Sequence, residues 1–487
     1  MIIGNIYEKL LNPYALLIFI LTLILPIGVG LIAVLRTKNQ SDFFVGGRSM
    51  NAFVVALSAV SSGRSSWLVL GLSGVAYVSG VSAVWAIAGY ITVELWQFIY
   101  LGRKLRNEIQ TTDSITMLDY FDSRFNDRAG LIRITGVIII SVFTIAYVAA
   151  QFNAGAKSLS AALDISFLLS LVISGLLIMI YMILGGYIAV AYNDVVRAFI
   201  MLTGLVVLPV VGIIKIGGIN VLNDMLHQLN PSYLDVFSLG TGAIIGFLGI
   251  GLGSPGQPHI VVRYMSIRDS KKLVLSAVYG TVLNILLGLG AICIGLTGRI
   301  LVPDIASLPG KDPEMIYLVL SSQYFGPMLY GLLVGGVFAA ILSTADSQLL
   351  VVASTFARDL YEKIIAAKTI ISEKKKLRLS RVVLIVSGIL ALFLAYIAQD
   401  LVFWLVLFAW AGLGASLGPA LIMSLFWKKT TRTGVFAGMI TGAFITIAWK
   451  LWLKEPTGIY ELIPGFSIAL LIIVIVSLLT QTPKDQH

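Results

Sequence analysis

Ala340, Ser343, Thr344 and Ser347 stand at spacings of three, four and seven within the run Gly335–Tyr361, so they share one helical face. Two adjacent hydroxyls on such a face suit a hard cation such as Na+, provided backbone carbonyls complete the shell. The competing reading has each hydroxyl bonding a carbonyl one turn back along its own helix. Two other segments offer freed carbonyls. ALSAVSSGRSSWLVLGLSG (Ala56–Gly74) interrupts an apolar run with serines, glycines and Arg64, and GIGLGSPGQPHIVVR (Gly249–Arg263) places Gly249, Gly251, Gly253, Pro255, Gly256 and Pro258 within a few turns. Proline removes a donor and clashes with the preceding turn, and each interior glycine costs about 1 kcal/mol. Both segments are therefore expected to break their helices. Unwound backbone at membrane depth is tolerated where it is buried in protein or lines a cavity.

Arg64 lies in the first break, where an arginine costs roughly 2.5–3.5 kcal/mol even on the lenient insertion scale. Either it faces the bundle interior beside an acidic partner, for which Asp346, Asp194 and Glu94 are the candidates, or it snorkels to the cytoplasmic surface with no functional part. Asp194 lies in GGYIAVAYNDVVRAF (Gly185–Phe199), read as a short turn before the sixth span. It either pairs with Arg197 at i, i+3 on the rim or serves ion release. Trp67, Tyr147 and Tyr264 either wall a solute or simply pack. Hydrolase elbow, P-loop, HExxH and dinucleotide patterns do not occur in a matching context. With one cysteine (Cys293) and three histidines (His227, His259, His487), no Cys- or His-rich metal site is available. Neither an enzyme nor an ATP-driven pump is indicated, so transport would draw on an ion gradient.

The elements that must position these residues are membrane helices. Of 487 residues, 58% are hydrophobic and 12% charged, about half the roughly 25% of a soluble domain. Mean hydropathy is +0.95, which excludes a soluble enzyme or nucleic-acid binder despite the formal charge of +10. Thirteen apolar runs of spanning length are predicted, from Tyr14–Leu35 to Ile463–Leu479. The first is too long and too poor in basic residues for a cleaved signal peptide. Alternating loops place 26 Lys and Arg on one side and seven on the other, which puts the N-terminus outside and the C-terminus in the cytoplasm. The basic run Glu373–Arg381 reads as a topology anchor. The two broken spans, the second and the seventh, are five apart. Spans 2–6 and 7–11 then form two groups of opposite orientation, and paired breaks in inverted halves point to a transporter's binding site. The chain reads as one membrane domain, 1–487. Its parts are a first helix and loop (1–51), a first repeat (52–216), a second repeat (240–423) and two C-terminal helices (434–487).

The motifs SDFFVGGRSMN (Ser41–Asn51), LSAVSSGRSSWLVLGLSG (Leu57–Gly74), LDYFDSRF (Leu118–Phe125), LGGYIAVAYNDVV (Leu184–Val196), GLGSPGQPHIVVRYM (Gly251–Met265), ILSTADSQLLVVAS (Ile341–Ser354), AWAGLGASLGPAL (Ala409–Leu421) and LIPGF (Leu462–Phe466) follow one another in a single order. In these the chain resembles the solute:sodium symporter family, and within it bacterial sodium/proline symporters. The resemblance implies an all-α polytopic membrane protein of 13 transmembrane helices with a LeuT-type core of two inverted five-helix repeats. It implies a Na+ site formed by the carbonyls of Ser61, Arg64 and Ala340 and the hydroxyls of Ser343 and Thr344, with Asp194 near the ion exit. Substrate contacts would fall on Ser65, Ser66, Trp67, Ser254, Gln257 and Pro258. Tyr147 and Asp346 are added from their positions, as a solute wall and a second acidic group on the ion pathway. Proline symporters carry Asp where Gly63 stands, Met for Arg64, Trp for Ile250 and Tyr for Ser254.

The expected function is Na+-coupled uptake of a small organic solute, an amino acid such as proline, across the plasma membrane by alternating access. No organic cofactor and no nucleic acid are expected. The alternatives are a sodium-independent or proton-coupled carrier or exchanger in which Arg64 replaces the ion, and a transporter-like membrane sensor or receptor.

Overall fold

The computed structural model describes residues 9–34, 40–182, 186–367, 369, 371–398 and 400–481. Leu35, Leu184 and Gly185 of the predicted segments, and Arg36, Lys38, Lys368 and Lys484 of the charge count, lie outside them. The described residues are helical almost throughout, and each predicted span falls on a helix. The principal helices are α1 (Pro13–Val34), α2 (Ala52–Ser66), α3 (Ser73–Ser79), α4 (Val84–Trp96), α5 (Met117–Phe125), α6 (Leu131–Leu163), α7 (Phe167–Met182) and α8 (Tyr187–Ile216). They continue with α9 (Thr241–Gly249), α10 (Pro258–Ser266), α11 (Leu273–Leu301), α12 (Pro327–Ser354), α13 (Glu373–Ile397), α14 (Val402–Phe426), α15 (Arg432–Ala448) and α16 (Leu462–Thr480). Among the described residues nine helical stretches are long and apolar enough to cross a membrane, with three shorter apolar helices beside them. The longest stretch, Ala52–Thr112, contains two predicted spans, which turn back at Gly80 (φ 69°).

Packing sorts the helices into a centre and a shell. Over their most apolar windows, Pro327–Ile365 and Val402–Phe426 are 83% buried, whereas Leu462–Thr480 is 33% buried. α12 packs against α1, α2, α6 and α8, and α14 against α6, α15, α16 and the turn 250–256. Outward faces present large apolar side chains such as Leu168, Val210, Val282, Val386, Phe444 and Leu471. Such a girdle suits lipid and not water.

Both predicted breaks are present. In α2 the helical path is interrupted at Ser65 (φ 40°, ψ −165°), a left-handed value uncommon for a residue with a Cβ. A wide π-helical turn, Trp67–Leu72, then leads into α3. In the seventh span, α9 gives way to a 3₁₀ stretch, Ile250–Gly256. Gln257 is extended (φ −92°, ψ 103°), and Pro258 starts α10 at a position where its missing N–H costs nothing. Close packing explains two of the glycines. A Cβ at Gly253 would overlap the Trp410 indole, and one at Gly63 would overlap the Tyr90 hydroxyl.

Candidate ion and solute site

The hydroxyl face of α12 lies against the break in α2. Ser343 Oγ donates to the Ser61 carbonyl at 3.1 Å and also lies 2.9 Å from the Ala340 carbonyl. Both readings of this serine, cross-helix and intrahelical, are thus realised in one geometry. Thr344 Oγ1 crosses to the Ser62 carbonyl at 2.8 Å. Four of the five expected Na+ ligands, Ser61, Ala340, Ser343 and Thr344, therefore meet. The Arg64 carbonyl instead accepts the Trp67 N–H, and Ser62, which the sequence reading passed over, takes its place beside Thr344.

Asp194 lies on α8 and not in a turn, because the helix begins at Tyr187. It is fully buried and accepts from Ser58 Oγ (2.6 Å), Ser62 Oγ (2.9 Å) and Arg263 Nη2 (3.0 Å). Ser347 joins the same cluster through Ser62 and Arg263. Arg197 is 3.9 Å from Asp194 but 2.6 Å from Asp346, so its closer partner is on α12. By position along the chain Arg197 and Arg263 fall among the 26 charges of the basic side, yet both are buried in ion pairs. A charge tally reads position along the chain and cannot tell a rim residue from one turned inward. A lone arginine among apolar residues near an acidic one was the available signal.

Arg64 settles on Glu94. Its Nη2 lies 3.1 Å from Glu94 Oε2, its Nε donates to Asn284 Oδ1 at 2.7 Å, and its guanidinium carbon sits 3.2 Å from the centre of the Tyr90 ring. The side chain thus turns toward α4 and α11, while the carbonyls of Ser61 and Ser62 meet α12.

The expected solute residues are all buried but do not all converge. Ser65 Oγ accepts the Trp67 N–H at 3.2 Å, Ser66 Oγ donates to Gln151 Oε1 at 2.9 Å, and the Trp67 indole donates to the Gly63 carbonyl at 3.2 Å. Trp410 of α14, absent from the expected set, is the common wall. It lies 5.5 Å from Tyr90 and 6.5 Å from Tyr147 between ring centres, and its carbonyl accepts from Gln257 Nε2 at 3.0 Å. Its indole donates to the Ile250 carbonyl at 2.8 Å, so an aromatic wall stands beside Ile250 although residue 250 itself is aliphatic. Ser254 Oγ points to Gln97 Oε1 at 2.5 Å. Pro258 lines a separate small cavity of about 40 Å³ with Tyr187, Arg263, Ser347 and Asp359. Buried Gln151 Nε2 and Gln257 Oε1 find no hydrogen-bond partner among the described residues. Such groups are costly to bury unless a bound molecule satisfies them.

A larger cavity of about 270 Å³ opens at the other end, lined by Gly71, Glu314, Phe403, Trp404, Lys454 and Tyr460 among others. Phe403 packs edge-on against Trp67 at 5.9 Å, between this cavity and the aromatic centre. Glu314 accepts the N–H groups of Val402 and Phe403 at 2.9 and 2.8 Å, capping α14, and Lys157 approaches it and Asp312 at 3.5 and 2.8 Å. At the opposite end Asp119 bridges Arg133 (3.0 Å) and Arg358 (2.7 Å), tying α5 to the foot of α6 and to the π-helical segment Thr355–Ile365 that continues α12.

An all-helical membrane protein whose two broken helices meet a hydroxyl-bearing third helix and an aromatic, partly unsatisfied polar centre is a secondary transporter. The profile described as SSF, Sodium:solute symporter family, matches residues 43–442, and the chain belongs to that family. The osmoregulated proline transporter OpuE of Bacillus subtilis (strain 168) is 34% identical over 458 residues, 93% of this chain and 92% of the relative. Sodium/proline symporter 2 of Staphylococcus saprophyticus is 36% identical over 457 residues, 92% and 89% of the two chains. Among solved structures, a substrate-bound, outward-open Na+-coupled sialic acid symporter superposes with a TM-score of 0.80 at 20% identity, covering 96% of this chain and 98% of its own. MhsT in complex with L-phenylalanine gives 0.55 at 11% identity, covering 87% and 97%. The fold is therefore LeuT-type, and the protein is an integral membrane transporter for Na+-coupled solute uptake.

Proposed function

We propose that this protein carries proline, or an amino acid close to it in size, into the cell with Na+. The observation that carries the reading is the contact of the Ser343 and Thr344 hydroxyls with the Ser61 and Ser62 carbonyls at the break of α2. Two hydroxyls and the carbonyls of Ser61, Ser62 and Ala340 supply the neutral oxygen set that a weakly held, exchangeable Na+ needs. A cation entering there would replace hydrogen bonds that the protein otherwise makes to itself. The proline transporters among the relatives support the solute class, and the compact centre between Trp67, Tyr147, Gln151, Gln257 and Trp410 suits a small zwitterion with an apolar body.

In this reading the repeats 52–216 and 240–423 rock about the centre, with the N-terminus outside and the C-terminus in the cytoplasm of a plasma membrane. The 270 Å³ cavity is the outward vestibule, and Asp194 and Asp346 line the inward route of the ion. Na+ at α12 steadies the α2 break and so raises solute affinity, and the solute must raise Na+ affinity by the same factor. Uptake of labelled proline into proteoliposomes, in Na+ against choline and at two pH values, tests it. Accumulation in Na+ alone is expected. Equal uptake in choline would refute ion coupling, and Na+-driven uptake of another solute class would refute the amino-acid assignment.

A further inference from the structure

Arg64, Glu94, Asn284 and Tyr90 form a second polar cluster that the Na+ locus on α12 does not use. Glu94 Oε2 receives Arg64 Nη2 at 3.1 Å and also Asn284 Nδ2. Asn284 Oδ1 accepts Arg64 Nε at 2.7 Å, and the Tyr90 ring face lies 3.2 Å from the guanidinium carbon. All four residues are buried. A carboxylate oxygen, an amide oxygen and an aromatic face are each groups that attract cations. They come from two helices, α4 and α11, and surround a side chain rooted at the break in α2, next to the strained Ser65. Arg64 Nη1 and Glu94 Oε1 have no hydrogen-bond partner among the described residues.

We propose that Glu94, Asn284 and Tyr90 build a cation site occupied by the protein's own guanidinium, so that Arg64 is a tethered cation standing where a free one would otherwise bind. The broken helix then carries one positive charge as a side chain and takes up another as Na+. The expected ion count rests on the Na+ reading given above, while the cage itself does not.

Equilibrium binding of radioactive Na+ to the purified full-length protein, without solute, tests the assignment. The parent should bind one Na+ per chain, lost in Thr344→Ala. Arg64→Ala should bind a second Na+ that survives Thr344→Ala and disappears on Glu94→Gln. Arg64→Lys, which keeps a tethered charge, should hold the parental count. If Arg64→Ala unfolds in detergent, millimolar guanidinium should restore its melting transition while tetramethylammonium does not. The proposal is overturned if folded Arg64→Ala gains no Na+ between mildly acid and mildly alkaline pH. Unfolded Arg64→Ala that guanidinium fails to restore overturns it equally, as does a second Na+ in Arg64→Lys. A parent that binds no Na+ beside an Arg64→Ala that binds one would refute the α12 site and uphold the cage.

Discussion

The Thr344 hydroxyl donates to the Ser62 carbonyl at 2.8 Å, joining residues 282 apart in the chain. The acceptor is free because Ser65 diverts the backbone of α2, and the donor is placed by an unbroken α12. Strain at one helix and regularity in another thus converge on one hydrogen bond.

Thr344→Ala removes that hydroxyl without adding bulk. The half-saturating Na+ concentration for solute uptake should rise about tenfold or more, equivalent to about 1.4 kcal/mol, with little change in the amount of folded protein. Thr344→Ser should stay near the parent. Unchanged Na+ dependence in the alanine variant would move the ion elsewhere.

Asp194 neutralises Arg263 within a buried cluster. Removing one partner of such a pair costs roughly 3–5 kcal/mol. Asp194→Asn should therefore lower the melting temperature in detergent by several degrees, and Asp194→Asn with Arg263→Gln should regain part of the loss. A double variant no more stable than the single one would mean that Arg263 does not depend on this carboxylate.

Gly63 lies against the Tyr90 hydroxyl so closely that a methyl group cannot enter. Gly63→Ala should be destabilised by about 1–3 kcal/mol through overpacking, and adding Tyr90→Phe should relieve much of it. Equal melting temperatures for the parent and Gly63→Ala would show that the α2 break yields freely at this point.

Glu314 supplies a pH dependence outside the spans. Burial, and then the neighbouring Asp312, push its carboxyl from 4.5 up to about 7, against Lys157 and the N–H groups of Phe403 and Val402. The folded state therefore holds this proton more tightly than the unfolded chain. Its contribution to stability is full below about 4.5, falls as pH rises to about 7, and is level above that. Glu314→Gln should flatten the fall relative to the parent in melting scans. Asp119 has the opposite sign. Burial alone would raise it, but Arg358 and Arg133 hold it below its ordinary value, so its contribution is kept above that value and lost in acid. Identical slopes for the parent and Glu314→Gln between about pH 4.5 and 7 would remove Glu314 from this account.

Much of this was legible because membrane helices leave coarse marks. Gly and Pro within Gly249–Arg263 announced the second break, and the 3, 4, 7 spacing of Ala340, Ser343, Thr344 and Ser347 announced the face that meets the first. Glu94 stood among three candidate partners for Arg64, but spacing could not choose among them because the choice depends on how α2 is rotated. Trp410 was hidden for a related reason. A tryptophan in a continuous apolar helix looks like any other core residue until Gly253, across the interface, shows why no side chain fits there. The inward turn of Arg197 and Arg263 was equally invisible to a count of charges along the chain.

The contact between Phe403 and Trp67 has a kinetic consequence. The buried ring of Phe403 lies between the 270 Å³ cavity and the aromatic centre and is packed against Trp67, Phe247 and Trp404, so access from that end needs this ring to turn against its neighbours, more slowly than an exposed side chain would. Toward the other end, buried arginine–carboxylate bridges join α8, α10 and α12, and passage requires helices to part, a microsecond-to-millisecond event. One end is thus closed by a single packed ring, the other by charged bridges that tie three helices together.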